Sequence, residues 1–458
     1  MVKMKVRAVW VMPSVVAGAL GAFGCQLLYD KETLTVGSGG SGGSTTSTTT
    51  TGGTGGAATT TETAMGGTGG TGATGGTGGT TTTGGTGGTG GTGGTGGTGG
   101  TTTTSTTTPT CDEPLLAIGR SATEVLCATY SQSAGWVASV QASGASSGRP
   151  AAAMLDAQTG IGVFYEPPGG QAGTAGPVRQ VKLINGMCQA PSNANAATTK
   201  AAPALAVADS KVQMIFRGTA GAGQDRPIRW AWTSATDWQE LDAPVPNVLL
   251  PLFPAIAPNG TGFAANGSEL LLAHGGHDNP GKNNLYVAKY AASWPASEAS
   301  LLGETTNVLT PVVAALDAGK WLVVYHPEAG AVLSWSTTDG TTLAAAKDIA
   351  GTDAAPDAIA LARTPVGAIL AYRTNAGKLH ALRYTTATDT WAPLPDLPGD
   401  PTVTGTPAVT AGLCTHELEL VYIEAGLVQH RSLEADAWSE ALPVSGSLMS
   451  AIAIAGVP

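Results

Sequence analysis

The sequence predicts an all-β fold, a β-propeller built of four-stranded blades, from three observations. A short phrase that begins with proline recurs about every 50 residues. Each phrase is followed by several strand-like segments that turn residues separate, and almost no segment has the 3.6-residue period of a helix. A four-stranded blade cannot bury both of its faces alone, so such blades stack in a ring.

The repeat has a fixed order of events. Its opening prolines are Pro150, Pro203, Pro254, Pro311, Pro356 and Pro407. A second strand then ends in an aromatic residue, as in Leu420-Val421-Tyr422, and a third strand follows. A turn next leads to a tryptophan at the start of the fourth strand, at Trp238, Trp294, Trp391 and Trp438. Because these tryptophans share one phase, we expect them to pack between blades rather than to bind sugar.

Two pieces of chain outside the six repeats predict how the ring closes. Strand patterns occur at Glu124–Tyr130 and Trp136–Gln141, and Leu448–Val457 reads as one apolar strand. A composite blade that mixes strands from both ends of the domain would leave no open edge. The sequence therefore favours seven blades; six remain if the C-terminal strand is an appendage.

Four cysteines fall in the region assigned to the propeller: Cys111, Cys127, Cys188 and Cys414. On this map they lie in the composite blade and its two neighbours, where disulfides would fasten the closure. An even number is typical of disulfides in an exported protein, and the three pairings of four cysteines stay open.

The N-terminus predicts export. Basic residues Lys3, Lys5 and Arg7 precede an apolar run, Ala8–Phe23, which is too short and too interrupted for a membrane span. Residues 1–24 are therefore a predicted signal peptide. The segment Leu20-Gly21-Ala22-Phe23-Gly24-Cys25 resembles the lipobox of bacterial lipoproteins. This resemblance implies that Cys25 is lipidated and that the protein is anchored at the outer membrane or cell surface; ordinary signal-peptidase cleavage is the alternative.

A spacer separates this anchor from the propeller. After a membrane-proximal segment, residues 25–36, residues 37–110 consist almost entirely of Gly, Thr, Ser and Ala. Such a composition cannot bury a core, so a disordered linker is predicted. A threonine-rich, O-glycosylated stalk is the second interpretation. The propeller domain is assigned to residues 111–458.

Charge and motifs exclude several functions. The formal net charge is −10 and no basic stripe is visible, which excludes nucleic acid as a partner. Nucleophile elbows, metal-binding helix motifs and phosphate loops do not occur, so no catalytic residue, cofactor or metal is predicted. The cluster His274-Gly275-Gly276-His277-Asp278 lacks a defined fourth ligand and is interpreted as a solvated loop.

A polar position recurs near the end of the predicted second strands. It is occupied by Glu166, Arg217, His274, His326 and Arg373, while Ser131 stands there in the composite blade and Ile423 in the last repeat. If all second strands point the same way, these side chains surround the central channel. One hypothesis is a ligand-binding ring that recognises sugar hydroxyls or carboxylates. The other is that a residue leaving a buried strand is polar because it meets water.

The repeats resemble the blades of sialidase-like and lectin-like bacterial propellers. The segment Pro203–Val207, the strand Met214–Arg217 and Trp238 carry the resemblance, and Ser336–Leu343 resembles a degenerate Asp-box turn. The Arg-Ile-Pro opening of sialidases is absent, and Arg226-Pro227-Ile228 only scrambles it. The resemblance implies a non-enzymatic binding protein with carbohydrate as ligand. A glycan-active hydrolase and a scaffold for a cell-surface protein are the alternatives.

Overall fold

The computed structural model describes residues 113–144, 147–170, 174–219, 225–242, 262–275, 285–295, 299–301, 308–327 and 332–458. The predicted signal peptide, Cys25 and the linker 37–110 lie outside these residues. None of the described residues form a helix that is long and apolar enough to cross a membrane.

The described residues form strands and two single-turn 3-10 helices, Pro168–Gly170 and Asp317–Gly319. In chain order, the strands are β1 (Leu115–Arg120), β2 (Glu124–Ser131), β3 (Gly135–Ala142), β4 (Ser147–Asp156), β5 (Thr159–Tyr165), β6 (Gly176–Ile184), β7 (Met187–Cys188), β8 (Ser192–Thr199), β9 (Ala204–Ala208), β10 (Lys211–Thr219), β11 (Asp225–Thr233), β12 (Thr236–Asp242), β13 (Gly262–Asn266), β14 (Glu269–Gly275), β15 (Leu285–Tyr290), β16 (Ala299–Leu301), β17 (Val308–Ala315), β18 (Trp321–Pro327), β19 (Ser334–Thr338), β20 (Lys347–Asp348), β21 (Ala354–Thr364), β22 (Gly367–Thr374), β23 (Leu379–Thr385), β24 (Thr390–Pro393), β25 (Val403–Ala411), β26 (Leu418–Glu424), β27 (Leu427–Glu434), β28 (Ala437–Trp438), β29 (Leu442–Leu448) and β30 (Ala451–Gly456).

These strands build a seven-bladed β-propeller, which confirms the predicted fold. Blades 1 to 6 follow in chain order as β4–β8, β9–β12, β13–β16, β17–β20, β21–β24 and β25–β29. The composite blade has the order β30-β1-β2-β3. The innermost strands β4, β9, β13, β17, β21, β25 and β30 each contact the next, and β30 contacts β4, so the ring is closed.

The composite blade corrects part of the sequence interpretation. Its innermost strand is β30, as predicted, but its second strand is Leu115–Arg120, which sequence reasoning missed. Glu124–Tyr130 belongs to the third strand, so Ser131 does not occupy the polar position. The segment Leu448–Val457 is not one strand, because the chain turns at Met449, whose N–H bonds to the Gly426 carbonyl, and β29 joins blade 6.

The repeated prolines have a structural reason. The strand register shifts between Ser147 and Ala151, between Leu309 and Val312, between Ala354 and Ile359, and between Thr404 and Ala408. Each interval contains the repeat's proline, which is tolerated at a bulge because it has no N–H to donate to the ladder. The bulges also release backbone carbonyls of the inner strands from pairing.

The structure confirms one disulfide between two of the four predicted cysteines. Cys127 on β2 is bonded to Cys188 on β7, which joins the composite blade to blade 1. Cys414 is also disulfide-bonded, and Cys111 lies outside the described residues.

Candidate functional site

The strand registers show that only three of the five residues of the predicted ring share one position on their strands. Arg217, His326 and Arg373 lie on the side of their second strands that faces the following blade. Each comes two residues after a core residue that packs against that blade, namely Ile215, Val324 and Ala371. His274 lies on the other side of β14, where its ring stacks on Tyr286 at 5.6 Å. Glu166 lies one residue beyond β5 and pairs with Arg179 at 2.9 Å.

Side chains at the shared position reach the next blade. The Arg373 Nε donates to the Gly405 carbonyl at 2.8 Å, and the His326 Nε2 lies 2.9 Å from the Ala354 carbonyl. Gly405 lies inside the bulge of β25, and Ala354 is the paired residue at which the bulge of β21 begins. An unpaired buried carbonyl would cost free energy, so each side chain satisfies a backbone group that the bulge releases. These contacts fasten neighbouring blades.

Arg120 is the member of this set that sequence reasoning missed. It ends β1 and its Nε donates to the Gly148 carbonyl of blade 1 at 3.2 Å. Burial lowers the pKa of Arg120 to about 10, so the guanidinium stays charged at neutral pH. The sequence does contain a feature that indicates this position, because the charged residue Arg120 ends the apolar run Leu115–Gly119.

The central channel is occupied by a side chain from its own wall. A cavity of about 210 Å³ lies among the inner strands, with walls made chiefly of Ala, Val, Leu, Ile and Pro. Arg149 on β4 crosses it and donates to the Ile359 carbonyl at 3.1 Å and to the Pro407 carbonyl at 2.9 Å. The space is small, and the Arg149 side chain already bonds to two of its carbonyls.

The repeat's tryptophans pack between blades, as expected. Trp238, Trp294 and Trp438 are buried. Each indole N–H reaches the preceding blade or the loop that leaves it, where it donates to Gln180, to Asp242 and to the Pro395 carbonyl, respectively.

The turn that resembles an Asp-box is formed by Asp339. Its Oδ1 accepts from the backbone N–H groups of Thr341 at 2.7 Å and Thr342 at 2.8 Å. These hydrogen bonds hold the pKa of Asp339 well below its usual range. The Asp339 side chain therefore holds the turn together.

A second cavity lies where the second strands end, at the face of the ring from which the loops after β20, β22 and β24 emerge. We call it the rim pocket; its volume is about 590 Å³. Its walls are Ala350, Gly351, Thr352, Asp353, Tyr372, Thr374, Ala376, Lys378, His380, Ala381, Leu382, Pro393, Leu394 and Asp396. These residues come from the end of blade 4, from blade 5 and from the loop beyond it.

Tyr372 is the central polar group of the rim pocket. The residue is only 5% exposed, and its hydroxyl has no hydrogen-bond partner within the part of the chain that the structure describes. Burial raises the pKa of Tyr372, and the nearby carboxylates of Asp353 and Asp396 raise it further. The hydroxyl is therefore neutral and can both donate and accept.

The other polar groups lie in the same pocket wall as Tyr372. The His380 ring lies 5.8 Å from the Tyr372 ring, and its Nδ1 is 3.4 Å from Asp396. Asp353 accepts from the Asn375 amide at 2.7 Å, which fixes one of its oxygens. Lys378 is committed to Asp400, at 2.8 Å. The pocket thus combines a hydroxyl, two carboxylates and an imidazole.

No metal site emerges from the described residues, which contain no cluster of three or more His, Cys, Asp or Glu side chains suited to an ion. His277 and Asp278 of the His274 cluster lie outside them.

Comparison with known proteins found no matching family model and no matching curated protein. Similar solved structures include the periplasmic gluconolactonase PpgL of Pseudomonas aeruginosa, with 13% identity, a TM-score of 0.47, and 76% of this chain and 99% of that chain covered. The fucose-specific lectin from Aleuria aurantia has 10% identity and a TM-score of 0.42, with 65% and 96% covered. The α-L-arabinofuranosidase Arb93A from Fusarium graminearum has 12% identity and a TM-score of 0.42, with 64% and 91% covered.

Proposed function

We propose that this protein is an exported, lipid-anchored propeller that binds carbohydrate in the rim pocket without transforming it. The observation that carries this proposal is Tyr372: the residue is only 5% exposed, its hydroxyl has no partner among the described residues, and that hydroxyl is not a sealed atom but is accessible at the wall of the pocket. A hydroxyl at a cavity wall that no protein group meets is hydrogen-bonded to water or to a ligand. A polar ligand would supply the missing bond.

Carbohydrate fits the groups around this hydroxyl. Sugar hydroxyls donate to carboxylates such as Asp353 and Asp396, and they exchange hydrogen bonds with a phenol and an imidazole. The Tyr372 and His380 rings and the side chain of Leu394 add apolar surface against which a sugar ring can pack. The volume of about 590 Å³ is within the usual range for small-molecule sites.

The arginines of the described residues argue against sialidase-like catalysis. Such enzymes need three arginines that converge on a substrate carboxylate. Here Arg120 and Arg373 each bond to a backbone carbonyl of a different neighbouring blade, and Arg149 bonds to carbonyls across the channel. These groups support the ring itself. A ligand role for Glu166, Arg217, His274, His326 and Arg373 stays a prediction.

The anchor completes the proposal. Cys25 is the residue that would carry the lipid, residues 1–24 would be removed, and residues 37–110 would hold the propeller away from the outer membrane. The direct partners are then the membrane, through the lipid, and a glycan.

The rim pocket is tested with the mature protein on a glycan array, followed by titration of the best ligand. Tyr372→Phe removes one hydroxyl and should weaken binding about two- to tenfold, since a neutral hydrogen bond contributes about 0.5–1.5 kcal/mol. Tyr290→Phe is the matched control, because the Tyr290 hydroxyl makes no hydrogen bond among the described residues and lies outside the pocket. Equal affinity of Tyr372→Phe and the parent, or absence of any glycan ligand, would contradict the proposal.

A further inference from the structure

The wall of the rim pocket carries more negative charge than positive charge. Its wall contains two carboxylates, those of Asp353 and Asp396. Among the described residues of this wall, Lys378 is the one lysine or arginine. The Lys378 ammonium is paired with Asp400 at 2.8 Å and also bonds to the Asp400 carbonyl at 2.9 Å. It is therefore neutralised, and the pocket has an excess of negative charge.

Asp353 is held in place with one oxygen available. Its Oδ1 accepts from the Asn375 side chain at 2.7 Å, and its backbone carbonyl accepts from the Asn375 N–H at 3.0 Å. The Oδ2 has no partner among the residues that the structure describes. A carboxylate that is already oriented loses less entropy when it binds a ligand.

Asp396 is less constrained. Its side chain is 86% exposed, and its Oδ1 lies 3.4 Å from the His380 Nδ1. Both carboxylates line the same pocket as Tyr372, and each raises the pKa of that phenol. A ligand group that bonds to the Tyr372 hydroxyl is thus close to two negative charges.

We infer that the rim pocket prefers cationic amino sugars to neutral and acidic sugars, an inference that rests on the proposed function. A sugar ammonium offers three donors and a positive charge to Asp353 Oδ2 and Asp396 while a ring hydroxyl bonds to Tyr372. N-acetylation of the amine removes the charge, and a uronate or sialate would be repelled. This preference is opposite to the one expected of an arginine-lined site.

The test compares three oligosaccharides of equal length by calorimetry on the mature protein: a glucosamine oligomer, its fully N-acetylated counterpart and a galacturonic acid oligomer. The glucosamine oligomer should bind at least tenfold more tightly than the N-acetylated one, and this advantage should shrink as salt is raised from 20 to 500 mM. The galacturonic acid oligomer should not compete.

Variants that remove one negative charge test whether Asp353 and Asp396 cause the preference for the glucosamine oligomer. Asp353→Asn and Asp396→Asn should each reduce affinity for the glucosamine oligomer roughly tenfold or more and affinity for the N-acetylated oligomer much less. Asp209→Asn is the matched control, because Asp209 is exposed in a turn far from the pocket wall and asparagine tolerates its φ of 52°. Asp396 is so exposed that its variant should fold normally even if Asp353→Asn does not.

The outcomes separate the two proposals. Tighter binding of the neutral or acidic oligomer, or equal loss in Asp209→Asn and Asp396→Asn, would overturn the preference and leave carbohydrate binding intact. Failure of every oligosaccharide on the array and in the titrations would remove the proposed function and this inference with it.

Discussion

Arg373 shows at the scale of one residue how a polar side chain can be structural. Its guanidinium reaches from blade 5 to the Gly405 carbonyl in the bulge of blade 6. Arg373→Ala would leave this carbonyl without its donor, so we expect the free energy of unfolding to fall by about 1–3 kcal/mol. Urea denaturation measures this loss. Arg363→Ala is the control, since its ion pair with Asp317 is exposed and should contribute about 1 kcal/mol or less.

The opposite result would restore the ligand-binding ring as a hypothesis. If Arg373→Ala unfolds like the parent while it binds an identified acidic ligand more weakly, the guanidinium acts on a ligand and not on the ring.

The sequence could indicate which residue types recur but not where each side chain points. Arg217, His326 and Arg373 share a position, whereas His274 does not, because β14 presents it to the preceding blade at a place where other repeats have an aromatic residue. A difference of one residue in strand register exchanges the two sides of a blade. The number of residues between the repeat's proline and the polar residue does not reveal that difference, because bulges in the inner strand change the register.

At the scale of elements, β30 determines whether the ring is closed. It pairs with β1 over its whole length and contacts the inner strands of blades 1 and 6. Deletion of residues 449–458 should therefore abolish cooperative unfolding of the propeller, because it exposes the edge of β1 and the flanks of two blades. Thermal and urea denaturation measure the change, and deletion of residues 457–458 alone is the control.

A small effect would contradict this role. If the shorter chain still unfolds in one transition and has lost only about 1 kcal/mol, which is the range of an ordinary point mutation, the composite blade does not depend on β30.

The repeat predicted the blades well because each inner strand, second strand and tryptophan recurs in order. It failed for β1, because the inner strand beside Leu115–Arg120 comes from the other end of the domain and because no aromatic residue ends this strand. It also failed for the rim pocket. Asp353 follows blade 4 and Asp396 follows blade 5, so only the packing of blades brings the two carboxylates to one tyrosine.

At the scale of the whole molecule, the proposed anchor should decide where the propeller is found. Cys25→Ala should move the protein from the membrane fraction to the soluble fraction, because no acyl chain would then be attached. Fractionation with mass determination of the mature protein measures this. An unchanged membrane fraction together with a mature mass that lacks acyl chains would contradict the anchor.

Among the residues that the structure describes, the channel cavity and the rim pocket differ in character. The channel cavity of about 210 Å³ is crossed by Arg149, and a wider space of about 650 Å³ at the other ends of the inner strands has mostly Ala, Val, Leu and Pro in its wall, whereas the rim pocket presents the Tyr372 hydroxyl and two carboxylates. This contrast favours the rim, rather than the axis of the ring, as the place where the proposed carbohydrate binds.

Hydrogen exchange of the full mature protein with and without its best glycan ligand tests this placement most directly. Backbone amides of residues 350–353 and 374–380 should exchange more slowly when the glycan is present, because these segments form the wall of the rim pocket. Amides around Arg149 and Pro407 should be unaffected. Protection confined to the channel residues, or no protection of the rim segments at saturating ligand, would contradict the account.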